Sequence, residues 1–300
     1  MAAFQFFMEV LVGGLLSGIM YALVALGFVL IYKASGVFNF AQGAMVFFAA
    51  LSFVGFMELG LPFWAALPVT IGMMVLVGMG TERFVLRPLV NQHEITLLMA
   101  TIGLTFVIEG VAQLTWGVEV RRLDLGIKDE PMPLLADATG LLISQIDLFA
   151  ALVAGLLVTT LAIVFNRTKV GRALRAVADD HAAALSIGIP LKNIWALVWG
   201  IAGVVALVAG MLWGARSGVQ FALVFVALKA LPVLIIGGFT SVPGVIVAGL
   251  IVGASEKLAE VYIGPKFGGG IEGWFPYVLA ILFLLVRPEG LFGEKIIRRV

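Results

Sequence analysis

Tyr21, Asn39, Gln42, Glu109 and Lys229 stand in otherwise apolar stretches. At membrane depth a polar group is costly and becomes a functional candidate unless it reaches an interface or a partner. Asn39 and Gln42 fall in FNFAQG with Phe40 between them, and Tyr21 opens YALVALG. Amides and a phenol can hydrogen-bond a polar or zwitterionic solute without the desolvation cost of a fixed charge. The same amides can also cap a helix or tie it to a neighbour. Glu109, in TIGLTFVIEGVAQLTW, needs a partner or a wet cavity. Lys229 either snorkels to an interface along its methylene stem or lines a pathway. Glu82 beside Arg83 reads as an interfacial pair, and Glu256 and Lys257 as candidates for pairing across helices.

Catalysis needs a nucleophile, an acid or base, or a metal held in a converging site, and no such spacing is present. Without cysteine there is no disulfide or thiolate site, and His93 and His181 are far apart in sequence, so a metal site is not expected. The absence of a Walker-type phosphate loop means that any nucleotide-driven work must be done by another subunit. Nucleic acid is not an expected partner.

The elements that position these groups are set by composition. Hydrophobic residues make up 62% of the 300 residues and charged ones 12%, against roughly 45–50% and about 25% in soluble domains. Membrane lipid is therefore an expected partner. Apolar stretches near 8–31, 38–57, 62–82, 93–116, 146–165, 194–214, 221–239, 242–262 and 274–286 predict an all-α polytopic transmembrane bundle of eight or nine spans. One crossing stays open: 221–239 carries Lys229 and Pro232, adjoins TSVPG and reads as either a span or a broken, re-entrant segment. MAAFQFFMEVLVGG lacks a basic n-region and a cleavage site, so the first stretch is expected to be retained. Gly14-x-x-x-Gly18 and Gly249-x-x-x-Gly253 are small-xxx-small patterns suited to close helix packing.

Basic residues set the orientation. Lys33, Arg83, Arg87, Arg167, Lys169, Arg172, Arg175, Lys192, Arg287, Lys295, Arg298 and Arg299 are expected on the cytoplasmic side, and Arg121, Arg122, Lys128, Arg216 and Lys266 outside. If 221–239 crosses, the N-terminus is outside and the C-terminus inside. The outside connection at about 117–145 is mixed in charge and reads as a solvated loop or short surface helix, or as a landing surface for a soluble domain. The chain is expected to form one transmembrane domain over 1–300.

Between two apolar stretches lies TKVGRALRAVADDHAAALSIGI, residues 168–189, within a cytoplasmic loop at about 166–193. Its helix-prone interior, with Leu174, Val177 and Ala178 on one side, is bracketed by Gly171 and Gly188. It reads as a rigid plug for the groove of another protein, with an amphipathic segment lying on the membrane surface as the alternative.

GLLSGIMYALVALGFVLIYKASGVFNFAQG, TKVGRALRAVADDHAAALSIGI, IAGVVALVAGMLWG and KALPVLIIGGFTSVPGVIVAGLIVGASE together resemble the high-affinity branched-chain amino-acid ABC permease family of LivH type, across nearly the whole chain. The resemblance implies an inner (plasma) membrane permease subunit paired with a second permease, LivM-like or another copy of itself. It also implies two cytoplasmic ATPase subunits carrying ATP and Mg, a periplasmic solute-binding protein, and no cofactor on this chain. Carried over, it places a cytoplasmic coupling helix at Gly171–Gly188, with Arg172, Arg175, Ala176, Asp179 and Ala183 pressing into the ATPase cleft. Asn39, Phe40 and Gln42 fall near the translocation route. ATP binding would then move the loop as a rigid body and rock the bundle between outward and inward openings. Gln42 stands where many relatives have His after the Asn-Phe-Ala run, which removes a titratable group. Permeases for urea and short amides share these motifs; Leu, Ile and Val are the expected solutes. The competing classes are an ion-coupled carrier or channel using Glu109 and Glu256, and a receptor or scaffold that moves no solute.

Overall fold

The computed structural model describes residues 2–89, 92–179 and 181–293, which excludes Lys295, Arg298 and Arg299. Apart from isolated bridges at Arg121–Val219 and Pro131–Ser144, the regular structure among these residues is helical. The helices are α1 Ala2–Ser35, α2 Gln42–Glu58, α3 Phe63–Gly80, α4 Glu94–Trp116, α5 Pro133–Thr139, α6 Gln145–Arg167, α7 Lys169–Asp179, α8 His181–Ser186, α9 Leu191–Ser217, α10 Val226–Gly237, α11 Val242–Tyr262 and α12 Phe275–Val286. A π-helical turn, Thr81–Leu86, extends α3, and a 3-10 turn, Phe221–Phe225, leads into α10.

Six helical stretches are long and apolar enough to cross a membrane by length and composition: Ala3–Ser35, Phe63–Leu89, Glu94–Trp116, Gln145–Arg167, Leu191–Ser217 and Val242–Tyr262. The other expected segments form shorter apolar helices, Gln42–Glu58, Phe221–Gly237 and Phe275–Val286. With 12 residues, α12 is about 18 Å long against roughly 30 Å of hydrocarbon. The connection between α4 and α6 holds α5, begun by Pro133 in its first turn and ended by Gly140 in the left-handed conformation.

Backbone contacts divide the chain into two compact units, 1–25 with 124–158 and 228–300, and 26–123 with 159–227. In the second unit α2 is the core: every residue from Gln42 to Gly55 is buried, as a helix that is apolar all round must be. Gly43, Gly210 and Gly55 let α2 approach Val224, α9 and the Trp116 ring so closely that a methyl group at any of them would clash. In the first unit the two small-residue patterns meet each other. A Cβ at Gly14 would stand 2.7 Å from Gly253 O, and one at Gly249 would stand 2.6 Å from Gly18 O. Lipid tails are as apolar as the helices, so this crossing is held by close van der Waals packing, which only glycine permits.

Candidate functional site

In the second unit, FNFAQG is a turn leading into α2. Asn39 Oδ1 accepts from Ala41 N at 3.1 Å, and Asn39 O accepts from Gln42 N at 3.2 Å. This is the local side-chain turn that Asn favours. Asn39 Nδ2 donates to Gln42 Oε1 at 3.2 Å, and both side chains are fully buried. The Gln42 amide lies over Gly27 of α1, where a Cβ would be only 2.9 Å from its Cδ, and Gln42 Nε2 has no hydrogen-bond partner among the described residues. Thr101 of α4 ties the turn from outside: its Oγ1 accepts from Phe40 N at 3.3 Å and lies 3.1 Å from Phe38 O. Phe40 is the exposed member, its ring 4.7 Å from that of Phe38. A cavity of about 210 Å³ opens beside this turn, lined by Tyr32, Val37, Phe38, Glu94, Ile95 and Leu98 among others. Glu109, half-buried on α4, has no ion pair or hydrogen bond among the described residues.

In the first unit the structure brings Tyr21 and Lys229 together through Glu256. Tyr21 OH donates to Glu256 Oε1 at 3.0 Å, and Lys229 Nζ lies 3.6 Å from the same oxygen. Glu256 is 1% exposed, and its Oε2 has no hydrogen-bond partner among the described residues. Lys229 is also 3.5 Å from Glu272 Oε1, and Lys257 Nζ donates to Glu272 Oε2 at 3.4 Å. Glu256 and Lys257 therefore do not pair with each other; each reaches a different neighbour. Glu260, one turn on, accepts from Gly270 N at 2.8 Å and Glu272 N at 3.0 Å. That closure needs the positive φ of Gly268, Gly269 and Gly270. Burial raises the Glu272 carboxyl, but Lys229 and Lys257 outweigh it and hold this residue of the connecting turn below the usual carboxylate range.

The 168–189 segment folds as α7 and α8. Leu174 and Val177 are buried and Arg172 is exposed. Gly171 does not bracket the helix but lies inside its first turn, where a Cβ would be 2.6 Å from Phe165 Cα. It allows α7 to fold back on the end of α6. Arg175 is half-buried and donates to Phe165 O at 2.5 Å and Asn166 O at 3.4 Å, so its guanidinium caps the last carbonyls of α6. Gly188, with φ 83°, ends α8, and Ile189 N bonds to Ala184 O at 3.0 Å. Ala176 is half-buried and Ala183 exposed; the side chain of Asp179 lies outside the described residues. Just before Gly188, Ile187 is 73% exposed. Sequence reasoning misses this apolar tip, although an Ile between Ser186 and Gly188 at a water boundary is the signal for it.

Glu82 pairs with Arg87 and not with Arg83. Arg87 Nε and Nη2 reach its two oxygens at 2.9 and 2.6 Å. The cause is the π-helical turn, whose wider winding stacks residues five apart.

A family model described as "Branched-chain amino acid transport system / permease component" matches residues 10–287. The high-affinity branched-chain amino acid transport system permease protein BraD of Pseudomonas aeruginosa is 28% identical over 98% of this chain and 98% of that protein. LivH, of the same description, is 27% identical in Salmonella typhimurium, over 99% of each chain, and 28% identical in Escherichia coli, again over 99% of each. Among solved structures, PsaBC from Streptococcus pneumoniae in complex with Fab aligns with 91% of this chain and 89% of that chain, at TM-score 0.44 and 15% identity, too distant to bear on function. With the match running nearly end to end and long apolar helices throughout, this multi-pass membrane protein belongs to the branched-chain amino acid transport system permease component family.

Proposed function

We propose that this chain is the permease subunit of an inner-membrane ABC importer that moves Leu, Ile and Val inward, with ATP and Mg held by separate ATPase subunits. The family match over residues 10–287 is the observation that carries the reading. Two cytoplasmic ATPase subunits, a second permease (a LivM-like subunit or another copy of this chain) and a periplasmic binding protein complete the assembly. The short helices α2, 221–237 and α12 join the six long ones to give eight or nine spans, with 221–237 broken by its 3-10 start and Pro232. The α7–α8 segment is the cytoplasmic coupling element. Arg172 and the apolar tip at Ile187, with Leu185 beside it also exposed, meet the ATPase groove, while Gly171, Arg175 and Gly188 keep the segment rigid against α6. Ala176, Asp179 and Ala183 complete the contact. Tyr21, Asn39, Phe40, Gln42, Glu109 and Lys229 line or support the route of the solute.

The test is leucine uptake by cells that lack their own branched-chain uptake and receive the complete set of subunits. Uptake that needs this chain and stops when the ATPase is inactivated supports the proposal. ATP-dependent uptake of urea or a short amide with no leucine uptake would transfer the chain to that substrate class, and uptake indifferent to the ATPase would refute the importer.

A further inference from the structure

Lys229 is shared almost equally between two carboxylates, at 3.6 Å from Glu256 Oε1 and 3.5 Å from Glu272 Oε1. Both separations exceed ordinary hydrogen-bond length, so the ammonium is held by charge and not locked by geometry. The side chains of Lys229 and Glu272 are 32% and 41% exposed, whereas Glu256 is 1% exposed. The network is thus open on one side and fixed on the other, where the Tyr21 hydroxyl holds Glu256 Oε1. Glu256 Oε2, buried and lacking a hydrogen-bond partner among the described residues, is acceptor capacity that the network leaves unused. Lys229 sits in α10, which follows the 3-10 turn Phe221–Phe225, contains Pro232 and is followed by Gly238 at φ 98°.

We infer that Lys229 and Glu272 form a zwitterion-reading site for an α-amino acid, with Glu256 as the positioning residue beneath it. The solute carboxylate takes Lys229, and the solute ammonium takes Glu272. Each solute charge replaces one protein charge, so the exchange leaves net charge unchanged and avoids stranding a buried ion. Glu256 keeps Lys229 in place once Glu272 has turned to the solute. A neutral amide such as urea has no charge to offer either group and leaves the Lys229–Glu272 pair closed. The inference rests on the importer reading and narrows it to zwitterions.

Leucine uptake is measured in proteoliposomes holding the full assembly, with K229Q, E272Q and K229R in this chain. K229Q and E272Q each lower uptake about tenfold, the value of one charge-assisted contact, while ATP hydrolysis stimulated by the binding protein stays near the wild-type rate. K229R, which keeps the charge, retains most of the uptake. Glu272 lies on a partly exposed turn, so E272Q decides the matter where K229Q fails to assemble. Uptake by E272Q within about twofold of wild type overturns the site, as does parallel loss of uptake and ATP hydrolysis, which marks a purely structural lock. A wild-type assembly that hydrolyses ATP but moves no leucine overturns the importer reading itself, and the site with it.

Discussion

Alanine at Gly14 and alanine at Gly13 are adjacent, chemically identical changes that the structure separates sharply. A Cβ at Gly14 stands 2.7 Å from Gly253 O and 2.8 Å from Ala254 Cα, both backbone atoms of α11, whereas a Cβ at Gly13 meets nothing within 4 Å. Carbon atoms pack at about 3.5–4.0 Å, so G14A forces α1 and α11 apart by a large part of an ångström and loosens the crossing along its length. Overpacking of this kind costs about 1–3 kcal/mol. The intrinsic gain of replacing glycine in a helix, about 1 kcal/mol, applies equally at both positions and cancels between them. G14A is therefore expected to be about 1–3 kcal/mol less stable than G13A. At about 2–4 °C per kcal/mol, the two proteins separate by several degrees in heat-induced unfolding in detergent, followed by the fraction that remains monodisperse. G18A, whose Cβ would lie 2.9 Å from Gly249 C, behaves like G14A. Equal melting of G13A and G14A would refute the reciprocal glycine crossing.

Arg172→Glu is expected to weaken pull-down of the ATPase subunit while leaving thermal stability unchanged, because Arg172 is exposed and Arg175 carries the cap on α6; undiminished pull-down would remove Arg172 from the docking surface. Arg175→Ala frees the α6 carbonyls and lowers stability by about 1 kcal/mol, read from the same melting assay. Asn39→Leu removes the side-chain hydrogen bonds to Ala41 N and Gln42 Oε1, leaves buried groups unpaired at a cost of about 1–3 kcal/mol, and is expected to lower transport more than membrane assembly; equal losses in uptake and in membrane yield would leave Asn39 a structural turn residue alone. The Glu272 carboxyl is depressed by Lys229 and Lys257 despite its burial, so its contribution is complete above the ordinary glutamate value near about 4.3 and disappears as pH falls through the lower folded value. The gap in melting temperature between wild type and E272Q should then be constant above about pH 5 and close in acid; a gap that widens in acid contradicts the sign.

Apolar length alone locates the six helices that are long enough to cross a membrane, because hydrocarbon thickness fixes how many residues a span needs. It fails where helices are short: α12 has the composition of a span and only 12 residues of helix. The small-residue patterns of α1 and α11 are visible in the sequence, but their pairing with each other is not, since nothing local tells one glycine pattern which other it will face. The Glu82 pair goes to Arg87 through a π-helical turn that a 3.6-residue period does not anticipate. Asn39 and Gln42 are legible as candidates, and their mutual bond follows from spacing in one turn. Tyr21 and Glu256 are 235 positions apart, and only the folded chain brings the Tyr21 hydroxyl to the Glu256 carboxylate. Arg175 shows the same limit on a smaller scale: its charge is plain, but its direction depends on Gly171 letting α7 fold back toward Phe165.

On the importer reading, this permease is driven by an ATPase carried on other subunits. The most direct measurement is leucine accumulation in proteoliposomes prepared with this chain and its partner permease, with and without the ATPase subunits, in the presence of leucine-loaded binding protein. Accumulation against a gradient is predicted only when the ATPase and ATP are present, with none under an imposed proton or sodium gradient. Leucine uptake driven by such an ion gradient in vesicles without the ATPase would contradict the importer reading.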